Sequence, residues 1–144
     1  MNAPGKDDTV QPDFLTEARR WLSLAQADLE VAGLLFAQGR YSYVRHHCQQ
    51  PGEKALKAVL LLQTRRCPPR VHALDTLLEQ VGGPEEFRPE LIKLSQDYFL
   101  TRYPDVEPSD PARQYDQDEA QRGLETTERL LAWARNQVEG DCAQ

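Results

Sequence analysis

Apolar residues recur along most of this chain with the spacing of an α-helix. Near the start, the steps between them alternate between three and four positions: Leu15, Ala18, Leu22, Ala25, Leu29, Ala32 and Phe36. Such spacing puts the side chains on one face of a helix, as in helices that pack into bundles. We find no convincing strand pattern and no internal repeat. The sequence therefore predicts an all-α protein.

Capping and helix-breaking residues divide this pattern into five predicted helices. Asp13 is a suitable N-cap for the first, and glycine or proline follows most of the others. The predicted helices are Asp13 to Gly39, the region of Val44 to Leu62 before Pro68, a short segment from His72 to Val81, a segment starting between Pro84 and Pro89 that includes Tyr98, and Ala120 to Val138. Residues 100–115 contain prolines and no apolar period, and we predict a loop there.

Amphipathic helices bury their apolar faces against one another. The simplest arrangement is an antiparallel up-and-down bundle of four long helices and one short helix. We expect one folded domain at residues 13–138, with tails at 1–12 and 139–144. The first helix also carries apolar residues beside its main face, which indicates contact with several neighbours or with a second subunit: Trp21, Leu24, Val31, Leu34 and Leu35.

Charge and hydropathy limit the classes of partner. The net charge of −6 argues against broad, sequence-independent capture of DNA or RNA, which needs clustered cations. A local basic pocket remains open, since Arg65, Arg66 and Arg70 are close in sequence and Arg102 can join them in space. No apolar run approaches the roughly 18 residues of a membrane span, and the N-terminus lacks the apolar region of a signal peptide. We therefore expect a cytoplasmic protein without membrane association.

The cysteines and histidines do not form a pattern typical of a metal site. The three cysteines are an odd number and include no C-x-x-C motif, so neither a disulfide framework nor a zinc site is expected. Cys48 falls on an apolar helical position and is predicted to be in the core. His46 and His47 are adjacent, and therefore point to different faces of a helix. We predict no metal and no cofactor.

The segment Arg102-Tyr103-Pro104-Asp105 is the main candidate for function. Arginine offers a fixed fork of donors suited to phosphate or carboxylate, tyrosine adds a flat ring and a hydroxyl, and proline fixes the backbone after them. One interpretation is a phosphate or RNA contact. The other is a structural lock, with Arg102 paired to an acid and Tyr103 packed on the last helix. The two interpretations are compatible if the lock shapes a cleft.

Glu53, Lys57 and His72 are further candidates. Glu53 precedes Lys57 by four residues, which is the favoured order for an ion pair on a helix surface. The pair is either solvated, or Glu53 lies inside the bundle as the partner that a buried Arg102 would need. His72 is either a polar residue at a helix start or a ligand contact.

Several segments, in order, resemble the HEPN domain family (higher eukaryotes and prokaryotes nucleotide-binding). They are Cys48 to Ala58, Val71 to Leu74 and Tyr98 to Asp105, together with Ala27-Asp28-Leu29, Glu119-Ala120 and Trp133. The resemblance extends over about residues 13–138. It implies an antiparallel helical bundle that is usually a homodimer. Members occur beside small nucleotidyltransferases in toxin–antitoxin pairs, or within larger proteins such as sacsin. Several are ribonucleases, and others are nucleotide binders.

The resemblance implies a binding module for a nucleotide or an RNA phosphate, working with a small nucleotidyltransferase. The nucleotide-binding residues would be Arg102, Tyr103, His72, Lys57 and Glu53. Ribonuclease members have a histidine four to six residues beyond an arginine, whereas here the corresponding positions after Arg102 lack histidine. This favours a binding protein over an enzyme.

Two alternatives remain open. In a metal-independent ribonuclease toxin, Arg65 or Arg66 would act with His72, or two subunits would combine their groups. The two arginines have His72 at the required separation, but they lie in the loop before the short helix and not at the usual position of the motif. The other alternative is a ligand-free dimerisation scaffold.

The pair Pro51-Gly52 departs from the family pattern, which usually has two small helix-forming residues there. Proline within a helix costs roughly 3 kcal/mol, and glycine about 1 kcal/mol relative to alanine. We therefore predict a kink in the second helix, or a break with a new helix starting at Pro51. Either would displace Gln49 and Gln50 relative to Glu53 and Lys57.

Overall fold

The computed structural model describes residues 13–102 and 115–143, with side chains for 13–99 and 115–140. It contains α1 (Phe14–Ala37), α2 (Tyr41–Thr64), α3 (Leu74–Val81), a 3-10 turn (Glu85–Phe87), α4 (Arg88–Arg102) and α5 (Gln117–Ala143). These ranges include no strand, and the predicted all-α fold is confirmed. No helix in them is both long enough and apolar enough to cross a membrane.

Helix α2 lies at the centre of the bundle. It packs against α1, α3, α4 and α5, and α1 also packs against α5. The three residues between α1 and α2 form a tight reversal at Gly39, whose φ of +73° is easily adopted by glycine. The core joins side chains from every α-helix, including Ala25, Val44, Leu56, Leu77, Leu91, Leu94, Leu130 and Ala134. Because α2 has neighbours on several sides, it buries polar as well as apolar residues.

The start of α1 agrees with its sequence pattern. Asp13 is its N-cap, and the Asp13 carboxylate accepts a hydrogen bond from the Thr16 amide at 3.2 Å. The regularly spaced residues from Ala18 to Ala32 are buried, whereas Leu24, Val31 and Leu34 are exposed. Helix α1 therefore presents a second apolar surface that the described chain does not cover.

The predicted break at Pro51 is wrong, because α2 runs without interruption from Tyr41 to Thr64. Pro51 and Gly52 are both buried, and a Cβ atom added to Gly52 would lie 3.3 Å from Leu74 Cδ1. Each fully buried leucine contributes about 1.5–3 kcal/mol, so packing on both sides of Pro51 outweighs its local cost. A bend at this point remains a prediction.

Other boundaries shift by a few residues. Helix α2 ends at Thr64, and Arg65 adopts a left-handed conformation. Helix α4 continues to Arg102, so the first three residues of the predicted loop are helical. The residue that precedes a proline disfavours helical backbone, and in this sequence that residue is Tyr103, before Pro104. Residues 103–114 of that loop lie outside the described residues, and α5 continues into the segment suggested as a C-terminal tail.

Candidate functional site

The centre of α2 carries a polar cluster around Glu53. The Glu53 carboxylate accepts hydrogen bonds from Gln49 Nε2 at 3.0 Å and from Lys57 Nζ at 2.8 Å. His72 Nδ1 lies 3.0 Å from Glu53 Oε2. Gln49, Glu53 and Lys57 are spaced by four residues and therefore share one side of the helix. We call Gln49, Glu53, Lys57 and His72 the Glu53 cluster.

The cluster is mostly enclosed, except for its histidine. The side chains of Glu53 and Lys57 are 14% and 7% exposed, and that of His72 is 71% exposed. Burial by itself would raise the pKa of Glu53, but hydrogen bonds from Lys57, Gln49 and His72 outweigh burial and lower that pKa. Glu53 is therefore ionised at neutral pH.

These contacts decide between the two interpretations of the Glu53–Lys57 pair. The solvated ion pair is wrong, because the pair with Lys57 is largely buried. The observed cationic partner is Lys57. The side chain of Arg102 is not among those described, so its pairing with Glu53 remains a prediction.

The backbone on either side of His72 is fixed by neighbouring helices. Gln49 Nε2 also donates to the His72 carbonyl oxygen at 2.8 Å, and the Leu74 amide donates to Ser95 Oγ at 2.9 Å. Because a carboxylate only accepts hydrogen bonds, Nδ1 of His72 carries the proton that faces Glu53. The opposite nitrogen, Nε2, is then left to meet a ligand in solvent.

The predicted displacement of Gln49 from Glu53 does not occur. The amide of Gln49 reaches Glu53 across Pro51 because the helix is continuous. Gln50 Nε2 in turn donates to Gln49 Oε1 at 3.0 Å. Residues on both sides of the proline therefore contribute to one site.

An aromatic pair lies further toward the start of α2. The rings of His46 and Tyr98 stack with their centroids 4.7 Å apart and their planes at 24°. His46 precedes Glu53 by seven residues, about 10 Å along the helix axis. Arg102 follows Tyr98 by four residues in α4, so its backbone lies on the same side of that helix. Tyr103 is outside the described residues.

Arg45 is a buried charge that the sequence analysis missed. Its side chain is 2% exposed, and its guanidinium pairs with Glu90 at 2.5 Å and with Asp97 at 2.6 Å. It also donates to the Glu119 carbonyl oxygen at 2.8 Å. Burial by itself would lower the pKa of Arg45, but the two carboxylates outweigh burial and raise that pKa. A charged residue between Val44 and Cys48, on the buried part of α2, was the available signal.

Tyr115 extends this network. Its hydroxyl donates to Asp97 Oδ1 at 2.9 Å, and burial together with the charge of Asp97 raises the pKa of Tyr115. The network thereby connects α2, α4 and the beginning of α5. We assign it a structural role, because its charged groups satisfy one another within the bundle.

Arg65 and Arg66 make no described contact with the Glu53 cluster. Arg65 follows Glu53 by twelve residues, roughly 18 Å along the axis of α2. The described contacts of His72 include Glu53 and Gln49, and neither arginine. The fold therefore provides no support for an arginine–His72 catalytic pair, which stays a prediction.

The cysteines have different environments. Cys48 is fully buried, as predicted, and burial raises the pKa of its thiol to about 12. Cys67 is exposed, and both thiols are free. Among the described residues, no group of three or more histidine, cysteine, aspartate or glutamate side chains is placed to hold a metal ion.

A family model of the HEPN domain matches residues 18–137. The chain belongs to the HEPN domain family. The crystal structure of TT1696 from Thermus thermophilus is similar to this HEPN protein, with 33% identity and a TM-score of 0.73; the match covers 83% of this chain and 97% of that one. The crystal structure of ST0689, an archaeal HEPN homologue, is also similar, with 29% identity and a TM-score of 0.72. That match covers 84% of this chain and 97% of the other. No curated protein sequence gives a significant match.

Proposed function

We propose that this HEPN protein binds a nucleotide or an RNA phosphate through a site that includes His72. The observation that carries the proposal is an imidazole 71% exposed and hydrogen-bonded to a carboxylate that is itself 14% exposed. Interior groups thus hold His72 in one orientation while its second nitrogen faces solvent. When both ring nitrogens carry a proton, Nε2 donates a charge-assisted hydrogen bond to a phosphate oxygen.

The proposed binding residues have different roles. His72 contacts the phosphate, and Glu53 orients the His72 ring. Lys57 offsets the charge of Glu53, because an unpaired anion beneath the site would repel phosphate. Arg102 and Tyr103 complete the site on the side of α4, with a guanidinium for phosphate and a ring for the base.

The proposed assembly is a homodimer in the cytoplasm that works with a small nucleotidyltransferase, as in toxin–antitoxin pairs. The exposed Leu24, Val31 and Leu34 of α1 support a dimer, since an uncovered apolar surface favours association. Size-exclusion chromatography with light scattering tests this assembly, and a monomer at tens of micromolar would contradict it. The nucleotidyltransferase follows from the family context, and co-purification with the product of a neighbouring gene tests it.

Calorimetry with ATP, GTP and a short RNA tests ligand binding. We expect at least one of them to bind, and His72→Ala to weaken that binding by about tenfold, as for one charge-assisted hydrogen bond. The matched control is His47→Ala, because His47 lies on another side of α2 and bonds to the Tyr43 carbonyl oxygen. If no ligand gives a heat of binding, the binding function is contradicted and the ligand-free dimerisation scaffold is the remaining hypothesis. Equal losses in both variants would remove His72 from the site.

A second candidate function is that of a metal-independent ribonuclease. The Glu53–His72 hydrogen bond favours it, because a carboxylate-oriented imidazole is a suitable general acid or base. Cleavage of RNA in the presence of EDTA, with loss of cleavage in His72→Ala, would support this candidate. Variants of Arg65 and Arg66 would show whether either arginine participates. Binding without cleavage at high protein concentration would dismiss it.

A further inference from the structure

Three exposed arginines lie together after the end of α2. Arg65, Arg66 and Arg70 fall within a span of six residues, and none of their side chains has an ion pair or hydrogen bond within the described residues. Four other arginines of the bundle are paired with acids: Arg19, Arg45, Arg88 and Arg129. Arg20, Arg40 and Arg122 have no acidic partner among the described residues, but they are far apart in sequence and form no group. The chain has 23 acidic and 17 basic residues, so a shortage of carboxylates does not explain the unpaired group.

Helix ends do not neutralise this charge. Helix α2 ends at Thr64 and α3 ends at Val81, where Gln63 Nε2 donates to the Val81 carbonyl oxygen at 3.0 Å. The C-terminus of a helix carries about half a negative charge. The two helix ends therefore offset about one of the three positive charges, and the surface attracts anionic groups.

A pocket of about 350 Å³ adjoins the arginines. Its lining is Leu60, Thr64, Arg66, Cys67, Pro69 and Gln80. Arg66 belongs both to the pocket and to the charged group, so the apolar and cationic parts form one surface. We call Arg65, Arg66, Arg70 and this pocket the Arg66 surface.

The lining of the pocket favours a protein segment over a nucleic acid. Leucine, proline and cysteine side chains suit an aliphatic group, whereas the pocket lining offers no aromatic ring on which a base would stack. Pro68 and Pro69 restrict the backbone beside the pocket, which lowers the entropy lost on binding.

We propose that the Arg66 surface binds a short acidic segment of a partner protein. One aliphatic side chain enters the pocket, and carboxylates on either side of it pair with the arginines, whose planar forks suit carboxylate. The pocket lies away from the Glu53 carboxylate, since Arg65 is roughly 18 Å beyond Glu53 along α2, whereas Arg70 is two residues before His72 in sequence. The proposal rests on the pocket and the charges of this surface, and it requires no nucleotide or RNA at the Glu53 cluster.

The test uses a synthetic eight-residue peptide of aspartates and glutamates around one central leucine. Titration of the ¹⁵N-labelled full chain, followed by NMR, should shift the amide signals of residues 60–82. The peptide should also slow alkylation of Cys67 by iodoacetamide, measured in a Cys142→Ser background. Reversal of all three arginines to glutamate should weaken binding at least about tenfold. Gln80→Trp, which fills the pocket without a change of charge, should weaken it about fivefold.

The matched control reverses three exposed arginines elsewhere, Arg20, Arg40 and Arg122, and so produces the same change in net charge. This control should bind the peptide to within about twofold of the original chain. Thermal unfolding of each variant establishes that it folds.

The proposal is overturned if no signals shift at about 1 mM peptide, the limit of weak specific binding. If the two triple variants lose the same amount of peptide affinity, the binding depends on net charge alone and not on the Arg66 surface. Equal binding of a peptide with serine in place of leucine would remove the pocket from the site. Tighter binding of an RNA hexanucleotide to the same arginines would make the surface a nucleic-acid contact instead.

Discussion

Replacement of Arg45 by methionine should destabilise the bundle more than any exposed substitution. The change removes a guanidinium that is 2% exposed and leaves Glu90 and Asp97, each 15% exposed, without their cation. Removing one partner of a buried ion pair typically costs about 3–5 kcal/mol. Because both carboxylates keep some contact with water, we expect the lower end, about 3 kcal/mol. This is a large fraction of the roughly 5–15 kcal/mol that stabilises a typical domain.

Urea unfolding at pH 7, followed by circular dichroism, measures this change. The midpoint should fall while the slope m stays constant, and the melting temperature should drop by about 10 °C. Arg19→Met is the matched control, because the Arg19–Glu139 pair is exposed and its loss should be close to the error of the measurement. A triple variant, Arg45→Met with Glu90→Gln and Asp97→Asn, should recover most of the lost stability, since the stranded charges are gone. A loss below about 1 kcal/mol in Arg45→Met would refute this account of the network.

Three further predictions concern α2, the Glu53 cluster and α1. Pro51→Ala should stabilise the fold by about 1 kcal/mol, because proline within a helix costs roughly 3 kcal/mol and the substitution loses the burial of only two methylene groups. Urea unfolding measures the change. A lower midpoint for Pro51→Ala would show that Pro51 is needed for packing. The pKa of Glu53 is lowered in the folded state. The ionised Glu53 should therefore contribute fully to stability above the ordinary pKa of 4.5, and this contribution should disappear as the pH falls through the lowered pKa. The free energies of unfolding of the original chain and of Glu53→Gln should then converge in acid. A difference between them that stays constant from pH 7 to pH 3 would contradict the lowered pKa. Leu34→Glu should convert a dimer into a monomer in light scattering, whereas persistence of the dimer would place the interface away from α1.

The helical faces were predictable because apolar spacing reflects burial directly. Ala18, Ala25 and Ala32 lie on the predicted face of α1 and are fully buried. The break at Pro51 was wrong for the opposite reason: local propensity was given more weight than burial on both sides of the residue. The end of α4 was misplaced because the prolines of the following segment begin only at Pro104.

The candidate site was predictable only where its contacts are local. The Glu53–Lys57 pair could be read from a spacing of four residues, but its burial could not, since burial depends on how the rest of the chain packs around α2. The contact of Glu53 with His72 joins positions 19 residues apart, and the contacts of Arg45 with Glu90 and Asp97 span 45 and 52 residues. Such pairings form only when the helices pack together, so the local spacing of residues in the sequence does not reveal them.

The side-chain amide of Gln49 has a consequence for engineering. Its nitrogen donates both to Glu53 and to the carbonyl oxygen of His72, so one amide group attaches the approach to α3 to the central helix. Glutamate at position 49 would have nearly the same shape but two acceptor oxygens, and would oppose Glu53 at neutral pH. In acid, a protonated glutamate at position 49 would have one O–H to donate, and its bond to the His72 carbonyl oxygen would restore the attachment. A single isosteric exchange would thus turn a permanent attachment into a latch that closes on acidification and opens on neutralisation.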